Sequence, residues 1–315
     1  FVGAVLIPRL LKEGFEVSVL DLFLYGIDVL KKHRNLKIYK GDIRDTNLLK
    51  EIIPGNEIII HLACISNDPS FELNPNLGKS INLDAFEPML QISSENNISR
   101  FIYASSSSVY GVKIEKNVTE DMTLEPLTDY SQFKADCEKI LDKFSSNQMT
   151  TVTIRPATVC GYSPRQRLDV VVNILTNLAY HKREITIFGG NQLRPNIHID
   201  DMVNAYICLI NAEKKIINGQ IFNAGYENQK VKDIAEIVKN NVGNDVQLKV
   251  EDTDDNRSYH ISSEKIFNSL NFKSVKTIDD AVKDLIYAFD KNILVNSLDN
   301  ENYFNIKKMQ NINLV

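Results

Sequence analysis

Tyr130 and Lys134 stand four residues apart in the segment Tyr130-Ser131-Gln132-Phe133-Lys134. On a helix, residues i and i+4 share a face, so the lysine ammonium can sit beside the phenol and favour its ionised form. A phenol that ordinarily titrates near ~10 then becomes a usable base closer to neutrality. Such a pentad arises readily by chance, and its setting gives it weight. It follows the run Ser105-Ser106-Ser107-Ser108-Val109-Tyr110-Gly111, in which a serine at a strand end can hydrogen-bond a substrate oxygen. The two segments together point to proton transfer at a substrate hydroxyl or carbonyl.

A second group of residues suits a dinucleotide. Phe1-Val2-Gly3, followed by an apolar helical pattern, reads as the tail of a glycine-rich loop whose earlier glycines and preceding strand are absent. The sequence opens inside that motif and is read as truncated. Asp21 closes the run VSVL, 18 positions past Gly3. A carboxylate there can accept both ribose hydroxyls of NAD and would repel the extra phosphate of NADP; it could instead cap a turn. Gly41-Asp42-Ile43-Arg44-Asp45 follows the next strand, where adenine would lie, and could equally be a solvated turn.

These residues need a scaffold that brings strand ends together. The first half alternates short β-rich runs at 16–20, 36–39, 57–61, 100–105 and 151–155 with helical patterns at 3–12, 46–53, 77–96 and 129–144. That alternation is the signature of βαβ units, whose right-handed crossovers leave ligands at the carboxyl ends of parallel strands. After Arg155 the rhythm is irregular, with helices expected at 169–181, 201–211, 231–240 and 278–289 and a strand at 185–188. The expected fold is α/β: a Rossmann-type doubly wound parallel sheet over 1–160, its first strand missing, with a returning segment at about 193–227, and a smaller α/β substrate domain over most of 161–315.

With 315 residues, 43% of them hydrophobic, the chain can bury a substantial core. Charged residues make up 24% and the net charge is −5, so no basic surplus argues for nucleic acid or an anionic membrane. Cys64, Cys137, Cys160 and Cys208 lie far apart, which suits buried free thiols in a reducing compartment and a cytoplasmic protein. No apolar run reaches the roughly 18–20 residues of a membrane span, and the opening segment, broken by Arg9 and Lys12, lacks the marks of a signal peptide. His61 and His198 sit in apolar, strand-like settings and read as structural; no spacing suggests a metal.

Taken in order, Phe1-Val2-Gly3, Asp21, GDIRD, HLAC, SSSSVYG and YSQFK resemble the extended short-chain dehydrogenase/reductase family, in its NAD-dependent epimerase/dehydratase group. Ile154-Arg155-Pro156, RPNIHIDD at 194–201 and FNAG at 222–225 extend the likeness through most of the chain. The resemblance implies that Tyr130 is the acid/base and that Lys134 binds the nicotinamide ribose and lowers the tyrosine pKa. Ser106 would be the hydroxyl partner, with Ser105 or Ser107 as alternatives. Gly3 would belong to the pyrophosphate loop, Asp21, Asp42 and Ile43 would meet the adenosine half of NAD, and Ala63 would lie along the cofactor. Arg194 and Arg257 would grip the pyrophosphate of a nucleotide-sugar substrate, a task suited to guanidinium forks, unless they pair with Asp200, Asp201 or Asp255. Arg165 and Arg167 form a further basic loop that could touch an anion or cap the next helix. Relatives that pair through helices matching 77–96 and 129–144 imply a homodimer.

The family's dehydratases carry an Asp-Glu pair directly after the active-site hydroxyl residue; here those positions are Ser107 and Ser108. The expectation is an NAD-dependent nucleotide-sugar epimerase that oxidises a sugar hydroxyl transiently and returns the hydride. A keto-sugar reductase or dehydratase, a non-catalytic NAD-binding regulator, and a small-alcohol dehydrogenase that would not need Arg194 or Arg257 are the alternatives.

Overall fold

The computed structural model describes residues 1–66, 68–253 and 258–312. Its first half runs α1 (Gly3–Lys12), β1 (Val17–Asp21), β2 (Leu36–Lys40), α2 (Thr46–Ile52), β3 (Ile58–His61), α3 (Asp68–Glu72), α4 (Pro75–Lys79), α5 (Phe86–Glu95), β4 (Arg100–Ala104), α6 (Asp129–Asp142) and β5 (Thr150–Pro156). The second half adds β6 (Thr158–Cys160), α7 (Val171–Lys182), β7 (Glu184–Phe188), β8 (Leu193–His198), α8 (Ile199–Asn211), α9 (Lys214–Ile217), β9 (Gln220–Ala224), β10 (Glu227–Lys230), α10 (Val231–Val242), β11 (Gln247–Glu251), α11 (Glu264–Leu270), α12 (Ile278–Asp290) and α13 (Asn305–Asn311).

The main sheet is all-parallel, in the order β3-β4-β5-β9. β1 and β2 form a separate parallel pair. Among the described residues β1 and β3 do not hydrogen-bond to each other. β4 explains why its strand can be read from sequence. Phe101 and Tyr103 point into the cluster built with Phe86, Leu90, Cys137 and Leu141, while Ile102 points to the opposite face with Val152, Ile154, Tyr206 and Phe222. Side chains alternate across a strand, and a sheet covered on both faces wants apolar groups on both. Helices α2, α5 and α6 cover one face, and α1 and α8 the other. A further core joins α7, α10 and α12 over β7 through Leu175, Ile185, Ile187, Ile234, Val238 and Val282.

Three expectations are corrected. The stretch 77–96 is not one helix: a π-helical turn at Ser80–Asp84 separates α4 from α5. Pro88 lies in the first turn of α5 and has no N–H to give the carbonyl of Asp84, so the regular ladder breaks there. Within that turn the buried Asn82 side chain pairs with both backbone groups of Ile65, at 2.8 and 2.9 Å, and so holds the loop after β3. Secondly, the returning segment at 193–227 is split. Only β9 enters the main sheet, whereas β8 pairs with β6 and β10. Thirdly, β6, β8, β9, β10 and β11 were not anticipated as strands. β6 has only three residues and β10, Glu227-Asn228-Gln229-Lys230, is wholly polar, so neither carries an apolar periodicity of its own. All four cysteines are free, and among the described residues no helix is long and apolar enough to cross a membrane.

Candidate active site

A cavity of about 850 Å³ runs between β1 and β3 and reaches the side on which the parallel strands end, within the size range of small-molecule sites. At one end lie Gly3, in the first turn of α1, and Asp21, the last residue of β1. The first turn of α1 has no acidic residue and no side chain capping its N–H groups, so its amides can face an anion. Asp21 Oδ1 accepts the N–H of Phe23 at 2.7 Å, which orients the carboxylate at the strand end. Asp42 and Ile43, after β2, and Ala63, after β3, line the same cavity. These residues fit a dinucleotide laid across the strand ends, with the pyrophosphate at the helix and the ribose at the acid. Asp42's carboxylate is committed to Arg44, at 2.7 Å. Burial pushes its pKa up, and the Arg44 hydrogen bonds and charge outweigh that, holding it below the usual carboxylate value.

At the other end are Ser106, Tyr130 and Lys134. Thr128 caps α6, its hydroxyl accepting the N–H of Ser131. This fixes Tyr130 in the first turn, with Lys134 one turn later. Ser106 precedes the short 3₁₀ turn Ser107–Tyr110 after β4, and it lines the cavity together with the Tyr130 phenol. Gly111 ends that turn at φ 67°, and a Cβ there would run into the carbonyl of Glu125, so only glycine lets the chain leave the serine run this way.

The structure separates the three candidate serines. Ser105 is buried and gives its hydroxyl to Glu138, which in turn forms an ion pair with buried Arg155 at 2.7 Å. Ser107 is buried in the 3₁₀ turn. Of the three, Ser106 is the one whose side chain acts on the Tyr130 phenol, lowering its pKa against the larger effect of burial. Lys134 Nζ donates to the carbonyl of Ala104 at 2.7 Å and lies 6.0 Å from the Tyr130 ring centroid. Burial dominates and raises the Tyr130 pKa above its ordinary value. Cys64 and Asp68 add to the rise, while Arg167 and the Ser106 side chain oppose it.

Arg194, on β8, lines the cavity and lies over the ring of Tyr259, 5.3 Å from its centroid. Two of its suggested ion-pair partners are engaged elsewhere. Asp200 pairs with Lys276 at 2.6 Å, and Asp201 accepts the backbone N–H groups of residues 275 and 276. Arg257 lies outside the described residues. Arg165 and Arg167 both line the cavity and neither caps α7, whose N-cap residue Val170 has no side-chain cap. Arg165 stacks on Tyr25 and donates to Asn305, and Arg167 pairs with Asp169 at 2.6 Å and reaches Ser66 at 3.2 Å. His61 is buried beside Tyr103, Phe86 and Phe101, and burial, assisted by the charge of Lys134, lowers its pKa to about 3. His198 Nδ1 accepts the N–H of Asp200 and its Nε2 meets Asp284 at 3.0 Å. Both histidines are structural.

Sequence reasoning missed a line of hydroxyls behind the cavity wall. Ser106 Oγ lies 2.8 Å from Ser108 Oγ, Ser108 Oγ 2.8 Å from Ser131 Oγ, and Ser131 Oγ 3.1 Å from Thr128 Oγ1. Thr128 Oγ1 donates to Asp68 Oδ1. The spacing of Thr128, Ser131 and the serine run carries a capping signal that could have located three of these. Nothing local marks Asp68, some 60 residues away. The sequence also left out Asn305, of α13, which lines the cavity from the far end of the chain.

Residues 1–225 match the NAD dependent epimerase/dehydratase family. A UDP-glucose 4-epimerase of Lactobacillus helveticus is 27% identical over 250 residues, covering 71% of this chain and 73% of that protein. A dTDP-D-glucose 4,6-dehydratase of Dictyostelium discoideum is 28% identical over 247 residues, covering 71% of this chain and 56% of that protein. Among solved structures, UDP-glucose 4-epimerase of Thermotoga maritima with UDP-glucose superposes at a TM-score of 0.84, with 22% identity, covering 93% of this chain and 96% of that one. A dTDP-glucose 4,6-dehydratase of Streptomyces venezuelae with NAD and TYD bound gives 0.84 at 18% identity, over 95% and 97%. With the glycine, the strand-end acid and the Ser-Tyr-Lys group gathered on one cavity, and with more than half of its length matched, this chain belongs to the NAD-dependent epimerase/dehydratase family, whose cofactor is NAD.

Proposed function

We propose that the chain is a nucleotide-sugar epimerase, in which Tyr130 takes the proton of a sugar hydroxyl and returns it after the ketone has turned. The observation that carries this reading is the content of the short turn after β4. Ser106 and Tyr130 line the cavity together, and the next two positions, where an eliminating enzyme needs an acid, are the buried hydroxyls Ser107 and Ser108. A hydroxyl with an ordinary alcohol pKa cannot protonate a leaving hydroxide as a carboxylic acid does. Expelling water is therefore disfavoured, while oxidation and re-reduction at one carbon need only Tyr130, Ser106 and the cofactor, which supplies hydride exchange when bound. Arg194, with Arg165 and Arg167 nearby, supplies guanidinium groups for the diphosphate of the substrate. Relatives of both kinds support the substrate class, since the proteins they match are a UDP-glucose 4-epimerase and a dTDP-glucose 4,6-dehydratase.

The test is incubation with UDP-, GDP-, CDP- and dTDP-sugars and NAD in deuterium oxide, followed by NMR. A stereoisomer formed without net reduced cofactor and without deuterium at the sugar carbon is expected. A deoxy-keto product would move the enzyme to the dehydratases, net cofactor turnover would move it to the reductases, and absence of any product would favour a non-catalytic NAD-binding role.

A further inference from the structure

One nitrogen of Arg167 is unused. Its Nε donates to Asp169 Oδ1 at 2.6 Å and its Nη1 to Ser66 Oγ at 3.2 Å, whereas Nη2 is buried and has no hydrogen-bond partner among the described residues. A buried charged donor without an acceptor is costly, so a group held in that state calls for an explanation. Arg167 is not free to swing away. Its carbonyl accepts from Asn173 Nδ2 at 2.8 Å and from Gln166 Nε2 at 3.1 Å, and its side chain is only 13% exposed. Arg165, two residues earlier, lines the same cavity and makes no ion pair among the described residues. Burial lowers the Arg165 pKa, and the charge of Arg167 adds to that effect. Two guanidinium groups therefore stand against Asp169, the single carboxylate ion-paired with them.

The position of Arg167 decides which anion it can meet. Ser66, which it bonds, lies in the loop after β3, next to Ile65, which packs in one cluster with Tyr130 and Phe133. The same loop leads into α3, whose Asp68 accepts from Thr128, the cap of α6 two residues before Tyr130. Arg167 is thus tied to the end of the cavity that holds the acid/base, and its charge is among those that oppose the burial-driven rise of the Tyr130 pKa. Arg194 reaches the cavity from β8, stacked on Tyr259. In a nucleotide sugar the diphosphate is held off from the reacting carbon by the sugar ring. A guanidinium beside the acid/base faces the sugar, and the diphosphate is left to Arg194 and Arg165.

We propose that Arg167 binds a carboxylate carried by the sugar itself, which makes nucleoside diphosphate uronic acids the substrate class. This rests on the reading of the cavity as a nucleotide-sugar site with Tyr130 as its acid/base. The Nη1–Nη2 edge of a guanidinium offers two parallel N–H donors that match the two oxygens of a carboxylate, and the fixed loop presents that edge without further ordering. A neutral hydroxymethyl group in the same place could accept one hydrogen bond but would leave the charge unanswered.

The test is titration calorimetry of the full chain with NAD, using UDP- and dTDP-glucuronic acid, their methyl esters, and UDP- and dTDP-glucose. The acid is expected to bind about tenfold more tightly than its ester or the glucose compound. Arg167→Met should weaken the acid about tenfold and the neutral compounds much less, and Arg167→Lys should recover part of the difference. The acid-against-ester comparison in the wild-type chain needs no variant, so it holds even if Arg167→Met fails to fold. Equal affinity for acid and ester overturns the proposal, as does a preference that survives in folded Arg167→Met. Equal weakening of all the compounds and of UDP would assign Arg167 to the substrate diphosphate, and weakened NAD binding without any sugar would assign it to the cofactor pyrophosphate; either overturns it. Because binding is read without turnover, a preference for the acid in a chain that epimerises nothing keeps the carboxylate site and removes only the epimerase. Epimerisation of a neutral sugar with no preference for the acid does the reverse.

Discussion

His61 shows how a single buried group couples the site to pH. It sits at the end of β3, packed among aromatic rings, with its pKa lowered to about 3 mainly by burial. A histidine whose folded pKa lies below its unfolded value of ~6.5 contributes stability that is fully present above that value and is lost as pH falls through the window from ~6.5 to about 3. Equilibrium urea unfolding between pH 7 and 4 should therefore show declining stability, and His61→Phe, which suits the surrounding rings, should flatten that decline. An undiminished slope in the variant would assign the acid sensitivity to carboxylates elsewhere. Tyr130 illustrates the opposite limit of sequence reasoning. The likeness to the family implied Ser106 as its partner with Ser105 and Ser107 as alternatives, and burial raises the Tyr130 pKa while the Lys134 ammonium is turned to the Ala104 carbonyl.

Elements carry the site through their ends. The serine run can face the cavity only because the 3₁₀ turn after β4 is released by Gly111, at φ 67° with the Glu125 carbonyl behind it. Gly111→Ala should destabilise the protein by more than about 2 kcal/mol, as left-handed strain adds to a backbone collision. It should also depress activity in whatever fraction stays folded, because Ser106 and Tyr110 are displaced together. Thermal unfolding and kcat measured on the same preparation check both, and a neutral variant would mean that the turn relaxes freely. α6, expected at 129–144, spans Asp129–Asp142, capped by Thr128 and burying Ala135, Cys137 and Leu141. Its neighbour on the same face of the sheet, α5, was not legible, since the proline that breaks 77–96 into two helices and a π turn sits inside an otherwise helical pattern.

Across the whole molecule, the last described helix closes back on the first half. Asn305 accepts from Tyr25 at 3.0 Å and from Arg165 at 2.7 Å, donates to Ser66 at 3.0 Å, and gives its N–H to Asp169 at 2.7 Å. One buried side chain thus ties the loop after β1, the loop after β3 and the arginine loop before α7 to the tail. Asn305→Ala leaves three polar partners unsatisfied, and in a chain of this size should lower the melting temperature by roughly 2–4 °C. Hydrogen exchange should quicken in α13 and in the loop holding Tyr25, while the core strands β4 and β5 stay protected. Uniform acceleration would instead show that the tail is no separate fastening.

The sequence by itself determined the class of fold, the parallel strands of the first half, the strand-end position of Asp21 and the placing of Tyr130 and Lys134 one turn apart on a helix, because each of these follows from local periodicity or from spacing on a single element. Its nine described site residues converge on one cavity, since parallel strands with crossover helices must put their carboxyl ends together. Only the tertiary structure decided which serine faces the phenol, where β8, β9 and β10 pair, and that Asp68 and Asn305 belong to the site. Those outcomes depend on contacts between segments apart in the chain, by 60 residues for Asp68 with Thr128 and 280 for Tyr25 with Asn305, where the geometry of packing selects the partner and no local pattern in the chain records the choice.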